Sequence, residues 1–394
     1  MIQIKDKRQC SGCFACYNVC PKKCIVMNMD DEGFWYPKIN EEQCINCGMC
    51  EVRCPVININ QKDKYISEKA FATINLNEDV RFKSSSGGIF SLLAEEIIKQ
   101  DGIVFGAIFS DDCKTIYHMA FDNIEDLDKL RGSKYVQSKI GDSYEYVKNY
   151  LDKGRKVLFT GTPCQIEGLY SYLNKYYDGL YTQDIICHGV PSPKVWKKYV
   201  EEREQKASSK TNRVFFRYKK YGWKAYSLLF EYKNNSKYIK SLSEDSYMRI
   251  FLSDNILRPS CYNCAFKGTN RKADITLGDY WGVGRYYPKL DDDKGVSAVI
   301  VNSEKGLHLI ESISDFVKIE NTSIENVING NPAMIDSAKM GRYRNEIFAE
   351  LESKDIDQLA DKYCAISFKT KVKNMLIKMK VYNRLVRVKH KLKK

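Results

Sequence analysis

The sequence predicts a chain of class α+β / α/β. A small N-terminal module is followed by an α/β domain with a mixed, largely parallel sheet and an antiparallel extension. Three observations predict this. A four-cysteine run is written twice within the first 55 residues, on either side of a hairpin pattern. From about residue 84, helical and strand patterns alternate, as in a parallel sheet with crossover helices. From Arg213, apolar and basic residues alternate, as in antiparallel strands with one wet face. The boundaries fall at 1–62, 68–345 (parts of about 68–150 and 151–345) and 346–394, the last a helical basic tail.

The first run is "CSGCFACYNVCP" and the second "CINCGMCEVRCP", each of the form C-x2-C-x2-C-x3-C-P. Three cysteines spaced by three wrap one iron–sulfur cube, and the fourth faces away toward a neighbouring one. The following proline fixes the exit of the loop. One [4Fe-4S] cluster is therefore assigned to Cys10, Cys13, Cys16 and Cys54, and a second to Cys44, Cys47, Cys50 and Cys20. Zinc, held by four ligands from two pairs, is the competing reading. Between the runs, "CIVMNMDDEGFWYPKI" reads as strand, turn, strand. Residues 1–60 resemble the bacterial two-[4Fe-4S] ferredoxin. Cys24 lies outside the pattern and reads as a packed thiol.

After a polar linker near 61–68, "SSSGGIFSLLAEEIIKQDG" reads as a helix opened by small residues and closed by Gly102. "GIVFGAIF" and "TIYHMAF" read as strands, and "DSYEYVKNYLDKG" as a helix. "RKVLFTGTPC" is a strand entering a turn, with "QIEGLYSYLNKYY" the next helix. "GLYTQDIIC" is a strand, and "PSPKVWKKYVEEREQ" a helix with proline near its start. "RVFFRYKKYGWKAYSLLFEYK" and "DITLGDYWG" supply later strands.

Several loops look chemical. Ser84 to Gly88 could hold a phosphate at a helix N-terminus, or be an ordinary N-cap. "RGSKYVQS" suits a planar anionic cofactor or a plain surface turn. "TGTPC" places Cys164 where a strand meets a helix, a position that lowers a thiol pKa. Cys187 also follows a strand, and "CYNC" supplies Cys261 and Cys264 on one turn. The four make a candidate thiolate site, with zinc or a CxxC redox pair still open. Arg217, Lys219 and Lys220 line an acidic substrate's entry, or are a solvated strand face. Tyr280 and Trp281 border a cofactor or belong to the core. His188 is a candidate proton donor, or a loop residue making a hydrogen bond.

Taken in order, "SSGG", "GSKYVQS", "GTPCQ", "CHGVPS", "CYNC" and "ADITLGDYWG" resemble the coenzyme F(420) hydrogenase/dehydrogenase beta-subunit family, bacterial type. The resemblance covers about residues 1–340. It implies a flavin-binding domain behind the ferredoxin-type domain, with FAD and a third [4Fe-4S] cluster on Cys164, Cys187, Cys261 and Cys264. It raises Ser86, Gly87, Gly88, Ser133 and Lys134 to candidate FAD contacts. The implied function is an iron–sulfur flavoprotein oxidoreductase. The alternative is a non-catalytic electron-transfer subunit serving a partner enzyme, in surface-polysaccharide biosynthesis by gene association. Clusters carry single electrons, and a flavin joins them to a two-electron substrate. The expected order is an outside donor or acceptor protein or reduced cofactor, the two-cluster module, the third cluster, FAD, and an unidentified small molecule.

Composition bounds the rest. Hydrophobic residues are 43% and charged residues 29%, which suits a globular chain. No apolar run precedes the first cysteine, so a cytoplasmic protein of an anaerobe is expected, whose fifteen cysteines serve metal or redox chemistry. From Lys369 to Lys394 there are eleven Lys or Arg and no acid, nearly the whole net charge of +13. Nucleic-acid binding by the body is not expected. In the tail, Val372, Leu376, Met379, Tyr382 and Val386 share one helical face. That suits peripheral contact with an anionic membrane surface, or packing on the chain's own domain.

Overall fold

The computed structural model describes residues 1–59 and 69–378. At the N-terminus, Ile25–Met29 (β1) and Trp35–Ile39 (β2) form an antiparallel hairpin. Asp30 shapes its turn by accepting from the amides of Glu32 and Phe34. Gly33 at the tip lies against the main chain of Lys194, and a Cβ there would come within 2.3 Å of the Lys194 Cβ. Glu32 is paired with buried Arg344 across the same contact. The N-terminal module is thus clamped to the body by a residue with no side chain and by an ion pair.

Further along the chain come Lys69–Asn75 (β3), Ile103–Phe109 (β4), Ile116–Phe121 (β5), Val157–Gly161 (β6) and Leu180–Ile185 (β7). Thr211–Tyr218 (β8), Ser227–Tyr232 (β9) and Lys237–Ser241 (β10) follow, then Ile275–Asp279 (β11), Ser297–Val301 (β12) and Val317–Thr322 (β13). Eight strands make one sheet in the order β13-β3-β12-β11-β7-β6-β4-β5. Its centre, β4, β6, β7 and β11, is parallel, and both flanks are antiparallel. The apolar runs "GIVFGAIF" and "VLF" are its buried middle, covered by helices Ile89–Lys99 on one side and Ser143–Asp152 and Pro163–Leu173 on the other.

The antiparallel strands β8 to β10 do not extend this sheet as the sequence suggested. They form their own three-stranded sheet. The reason is a second core: Val214, Phe216, Leu228 and Phe230 pack on Trp196, Tyr199 and Tyr247 from helices Pro193–Ala207 and Ser246–Leu252. Helix Ile356–Tyr363 closes that core with Ile356, Leu359 and Ala360 fully buried, so the first part of the expected tail belongs to the body.

The topology sends the chemistry to one edge. The C-terminal ends of the four parallel strands lie side by side, the place where open α/β sheets bind ligands. Asp279 pairs with Ser297, and Ser297 with Thr73, so the end of β3 reaches the same edge. The loops after β3, β6, β7 and β11 carry "SSSGG", "TPC", "CHG" and "YWG".

Candidate functional site

Both cysteine loops solve the same steric problem in the same way. At equivalent positions, Gly12 and Asn46 have φ of 67° and 53°, and Phe14 and Gly48 have 66° and 72°. Each left-handed residue turns the chain sharply, and a short helix follows, Ala15–Val19 or Met49–Val52. Phe14 carries this conformation while buried against Tyr17 and Trp35.

The sulfurs are crossed as the spacing predicts. Cys13 and Cys16 lie within electrostatic reach of Cys10 and Cys54, although Cys54 closes the second run. Burial first, then the Cys54 and Cys10 charges, push the Cys13 thiol up to about 12. Cys20 instead lines a cavity with Cys44, Cys47 and Cys50. Cys24 lines it too, its Sγ 3.4 Å from that of Cys20, and is packed and buried as expected. Cys47 is exposed, so this group lies at the surface. Cys54 feels both Cys10 and Cys50, so the two groups are neighbours.

The third set of cysteines also converges. Cys164 is the second residue of helix Pro163–Leu173, which Thr162 and Gln165 cap reciprocally. Cys187 leaves β7, and Cys261 sits in the 3-10 turn Pro259–Asn263, just before Cys264. Cys164 lies within electrostatic reach of Cys264, Cys187 and Cys261. One expectation fails here. The helix start does not lower the Cys164 thiol pKa; burial pushes it well up, and the other three thiols add to this. Desolvation outweighs the helix end. Burial raises Cys187 to about 11 and Cys261 to about 12, opposed by Lys267 at Cys187 and by Arg258 at Cys261. Twelve thiols in three buried or half-buried sets suit soft, cationic metal centres, which alone would make thiolates favourable there. Among the described residues, no three Cys, His, Asp or Glu side chains close to the spacing of a single metal ion.

Two of the three sets nearly touch. A Cβ on Gly168 would lie 2.9 Å from the Cβ of Cys13 and 3.2 Å from its sulfur. Gly168 is one helical turn beyond Cys164, a rise of about 6 Å. The Cys10 group therefore faces the body, and the Cys20 group faces outward.

The flavin candidates gather at the same edge of the sheet, with partners the sequence reading did not weigh. Ser133 N–H donates to Ser85 Oγ at 2.7 Å. Ser86 Oγ donates to the Val296 carbonyl, and Gly87 N–H to Ser297 Oγ. Gly87 is thus a packing glycine: a Cβ there would lie 2.4 Å from the Thr73 carbonyl, and its amide is already used. Gly88, at φ 86°, opens helix Ile89–Lys99 without any side-chain cap, where serine was expected to serve. Arg217 reaches Asp279 through two nitrogens, Tyr135 Oη at 3.1 Å and the Ser85 carbonyl at 3.2 Å. Its guanidinium lies over Trp281, which stacks on Trp223 at 4.5 Å. Tyr280 is core, bonded to Thr322, and Lys220 is exposed.

Lys134 and Lys219 are the charged residues here without acidic hydrogen-bond partners. Lys134 Nζ donates to the carbonyls of Leu130, Arg131 and Gly132. Lys219 Nζ donates to those of Arg81, Ser86 and Lys294. Burial brings each down to about 7, with Arg217 and Arg81 adding to the effect at Lys219. His188 is held by Asp254, Nε2 to Oδ1 2.5 Å, beside the Phe251 ring.

A two-cluster thiolate module docked on an α/β domain, with a third thiolate set at the strand ends, defines an iron–sulfur electron-transfer protein of the oxidoreductase type. The chain belongs to the coenzyme F420 hydrogenase/dehydrogenase beta-subunit family: residues 154–327 match the C-terminal part of the "Coenzyme F420 hydrogenase/dehydrogenase, beta subunit", and residues 9–58 match the "4Fe-4S dicluster domain". Its relatives include an uncharacterized ferredoxin of Methanocaldococcus jannaschii, 36% identical over 73 residues, which are 17% of this chain and 94% of that protein. The coenzyme F420-dependent sulfite reductase of the same organism is 26% identical over 174 residues, 42% of this chain and 26% of that one. An uncharacterized protein, also from that organism, is 27% identical over 212 residues, 45% of this chain and 56% of its own length. The chain thus spans about a quarter and about half of the relatives that its body matches. Among solved structures, a chain from "Xenon derivatization of the F420-reducing [NiFe] hydrogenase complex from Methanosarcina barkeri" superposes with a TM-score of 0.46 at 17% identity. It covers 78% of this chain and 97% of its own.

Proposed function

We propose that this chain is an iron–sulfur flavoprotein oxidoreductase that moves electrons between an outside redox partner and a small two-electron substrate. The observation that carries the reading is the contact of Cys13 with Gly168, one turn from Cys164, which puts the inner ferredoxin site beside the third thiolate set. When bound, three [4Fe-4S] clusters supply one-electron transfer and FAD supplies the exchange with two-electron chemistry. Cys10, Cys13, Cys16 and Cys54 would hold the inner cluster of the module, Cys20, Cys44, Cys47 and Cys50 the outer one, and Cys164, Cys187, Cys261 and Cys264 the third.

The chain's own residues prepare the flavin site. Two buried ammonium groups, Lys134 and Lys219, meet only carbonyls, which suits a ligand bringing its own negative charge such as a pyrophosphate. Arg217 and the Trp223–Trp281 stack offer a flat wall for a ring system. Ser86, Gly88 and Ser133 border this space, whereas Gly87 serves it by packing. Asp254 orients His188, the candidate proton donor for the substrate step.

The test is anaerobic purification followed by iron, zinc and flavin quantitation. About 12 irons and one FAD per chain are expected from three clusters and one flavin. About 8 irons without flavin would replace this reading by the electron-transfer subunit, which the beta-subunit description of the family favours. Zinc in place of the last four irons would make the third set a structural site.

A further inference from the structure

Arg258 is 0% exposed, and its side chain ties the inner ferredoxin loop to the body. Nε donates to the Cys10 carbonyl at 2.8 Å, one terminal nitrogen to the Trp35 carbonyl at 3.0 Å, and the other to Gln137 Oε1 at 3.2 Å. Its guanidinium lies 4.2 Å from the centre of the Tyr36 ring. Its own carbonyl accepts from Cys261 N–H at 2.9 Å, starting the turn that carries Cys261 and Cys264. One residue thus touches the main chain of both thiolate sets.

Every one of those partners is neutral. The other deeply buried arginines have carboxylates: Arg81 has Asp292, Arg217 has Asp279, Arg271 has Asp184 and Arg344 has Glu32. The hairpin acids nearest Arg258 are already taken, Asp30 by Lys7 and Glu32 by Arg344. Among the described residues, no carboxylate lies within ion-pair distance of Arg258. A buried guanidinium cannot shed its proton, and leaving its charge without an anion costs several kcal/mol. The anions on offer are the thiolate sets on either side, each net negative once it holds a [4Fe-4S] core.

We infer that Arg258 is the shared counter-charge of the Cys10 cluster and the Cys164 cluster, raising the reduction potentials of both relative to what the same thiolates would give alone. The inference rests on the proposed function for the third cluster. Reduction adds one electron to a cluster, and a fixed positive charge beside it stabilises the reduced form. The outer cluster, on Cys20, Cys44, Cys47 and Cys50, has the exposed Lys22 as the only charged side chain in its lining, where water screens it. That cluster stays at the potential its surface position sets. The arrangement makes electron flow from the outer cluster inward downhill.

The test is a mediated, EPR-monitored redox titration of the full chain, purified without oxygen, with Arg258→Lys and Arg258→Gln beside it. The outer cluster's signal is identified by its loss in Cys47→Ser. With Arg258→Gln, the reduced-to-oxidised ratio of the two inner clusters at fixed potential falls roughly tenfold, as for a unit charge ~10 Å away at an effective dielectric of about 20. The outer cluster does not move, and Arg258→Lys stays close to the unaltered chain. Unmoved inner clusters, an equal shift in all three, or a lysine variant that shifts as far as glutamine would each overturn the inference. Should Arg258→Gln lose iron, the lysine variant decides: unaltered inner potentials support a charge role, and shifted ones refute it. About 8 irons in the unaltered chain would remove the third cluster and the proposed function with it; the inference is then read, by the same criteria, on the Cys10 cluster alone.

Discussion

Gly168 shows how much one absent methyl group can do. An alanine there would bring its Cβ to 2.8 Å from Tyr144 Oη and 2.9 Å from the Cys13 Cβ, closer than real contacts allow. Alanine gains roughly 1 kcal/mol in helix propensity, but forced overpacking costs roughly 1–3 kcal/mol, so Gly168→Ala should lower stability on balance. Chemical denaturation of the anaerobic protein checks this, with iron content expected unchanged. Lys219 makes a pH prediction. Its folded-state pKa of about 7 lies far below that of an exposed lysine, so the free protein holds it neutral above pH 7. A phosphate-bearing ligand favours the ammonium, so FAD binding should tighten as pH falls from about 8 to about 6 and take up protons above pH 7. Lys219→Met should weaken binding and flatten that slope, as read by calorimetry in buffers of different ionisation heat. At this scale the sequence named the lysine as a candidate but missed its burial, because nothing local says that a strand-borne Lys will turn inward to three carbonyls.

At the scale of elements, the turn Pro259–Asn263 decides whether the third thiolate set exists. It delivers Cys261 and Cys264 opposite the ends of β6 and β7, and Cys264 N–H is fixed by Ser337 Oγ at 2.9 Å. Cys261→Ser should remove about four irons and leave the signals of the N-terminal module intact. Iron analysis and EPR check this, and an unchanged iron count would exclude the site. The same turn explains what was readable beforehand. The C-x-x-C spacing is a local signal, whereas its meeting with Cys164 and Cys187 depends on sheet order. Strands β3, β12 and β13 went unread although "SAVIV" is a fully buried apolar run, because short runs without alternation do not declare themselves as strands. The reading of β8 to β10 as an extension failed for a related reason. Period-two alternation reveals a half-buried strand but not which core buries it.

For the whole molecule, the order outer cluster, inner cluster and third thiolate set runs from exposed Cys47 to the buried sheet edge. Among the described residues no helix is long and apolar enough to cross a membrane. Helix Phe368–Lys378 begins the basic segment with Phe368 and Met375 exposed, while Asn374 is buried and accepts from Ser243. Met379, Tyr382 and Val386 of the proposed apolar face lie outside the described residues. Deleting Phe368 to Lys394 is expected to keep iron and flavin but reduce sedimentation with anionic vesicles several-fold at low salt. Equal sedimentation with and without the segment would leave it only a packing role.

The amino-acid order by itself determined the eight-cysteine module. Its ligands are set by spacing within two short loops, and the crossing follows from cube geometry alone. It also disclosed an alternating α/β body, since helical and strand periods are local properties. Only the tertiary structure decided that Cys13 rests on the helix of Cys164, that Arg258 lies buried between two thiolate sets, and that Gly87 packs instead of offering its amide. Each of these depends on which strands sit side by side and which surfaces exclude water, and both emerge only when distant segments share one core.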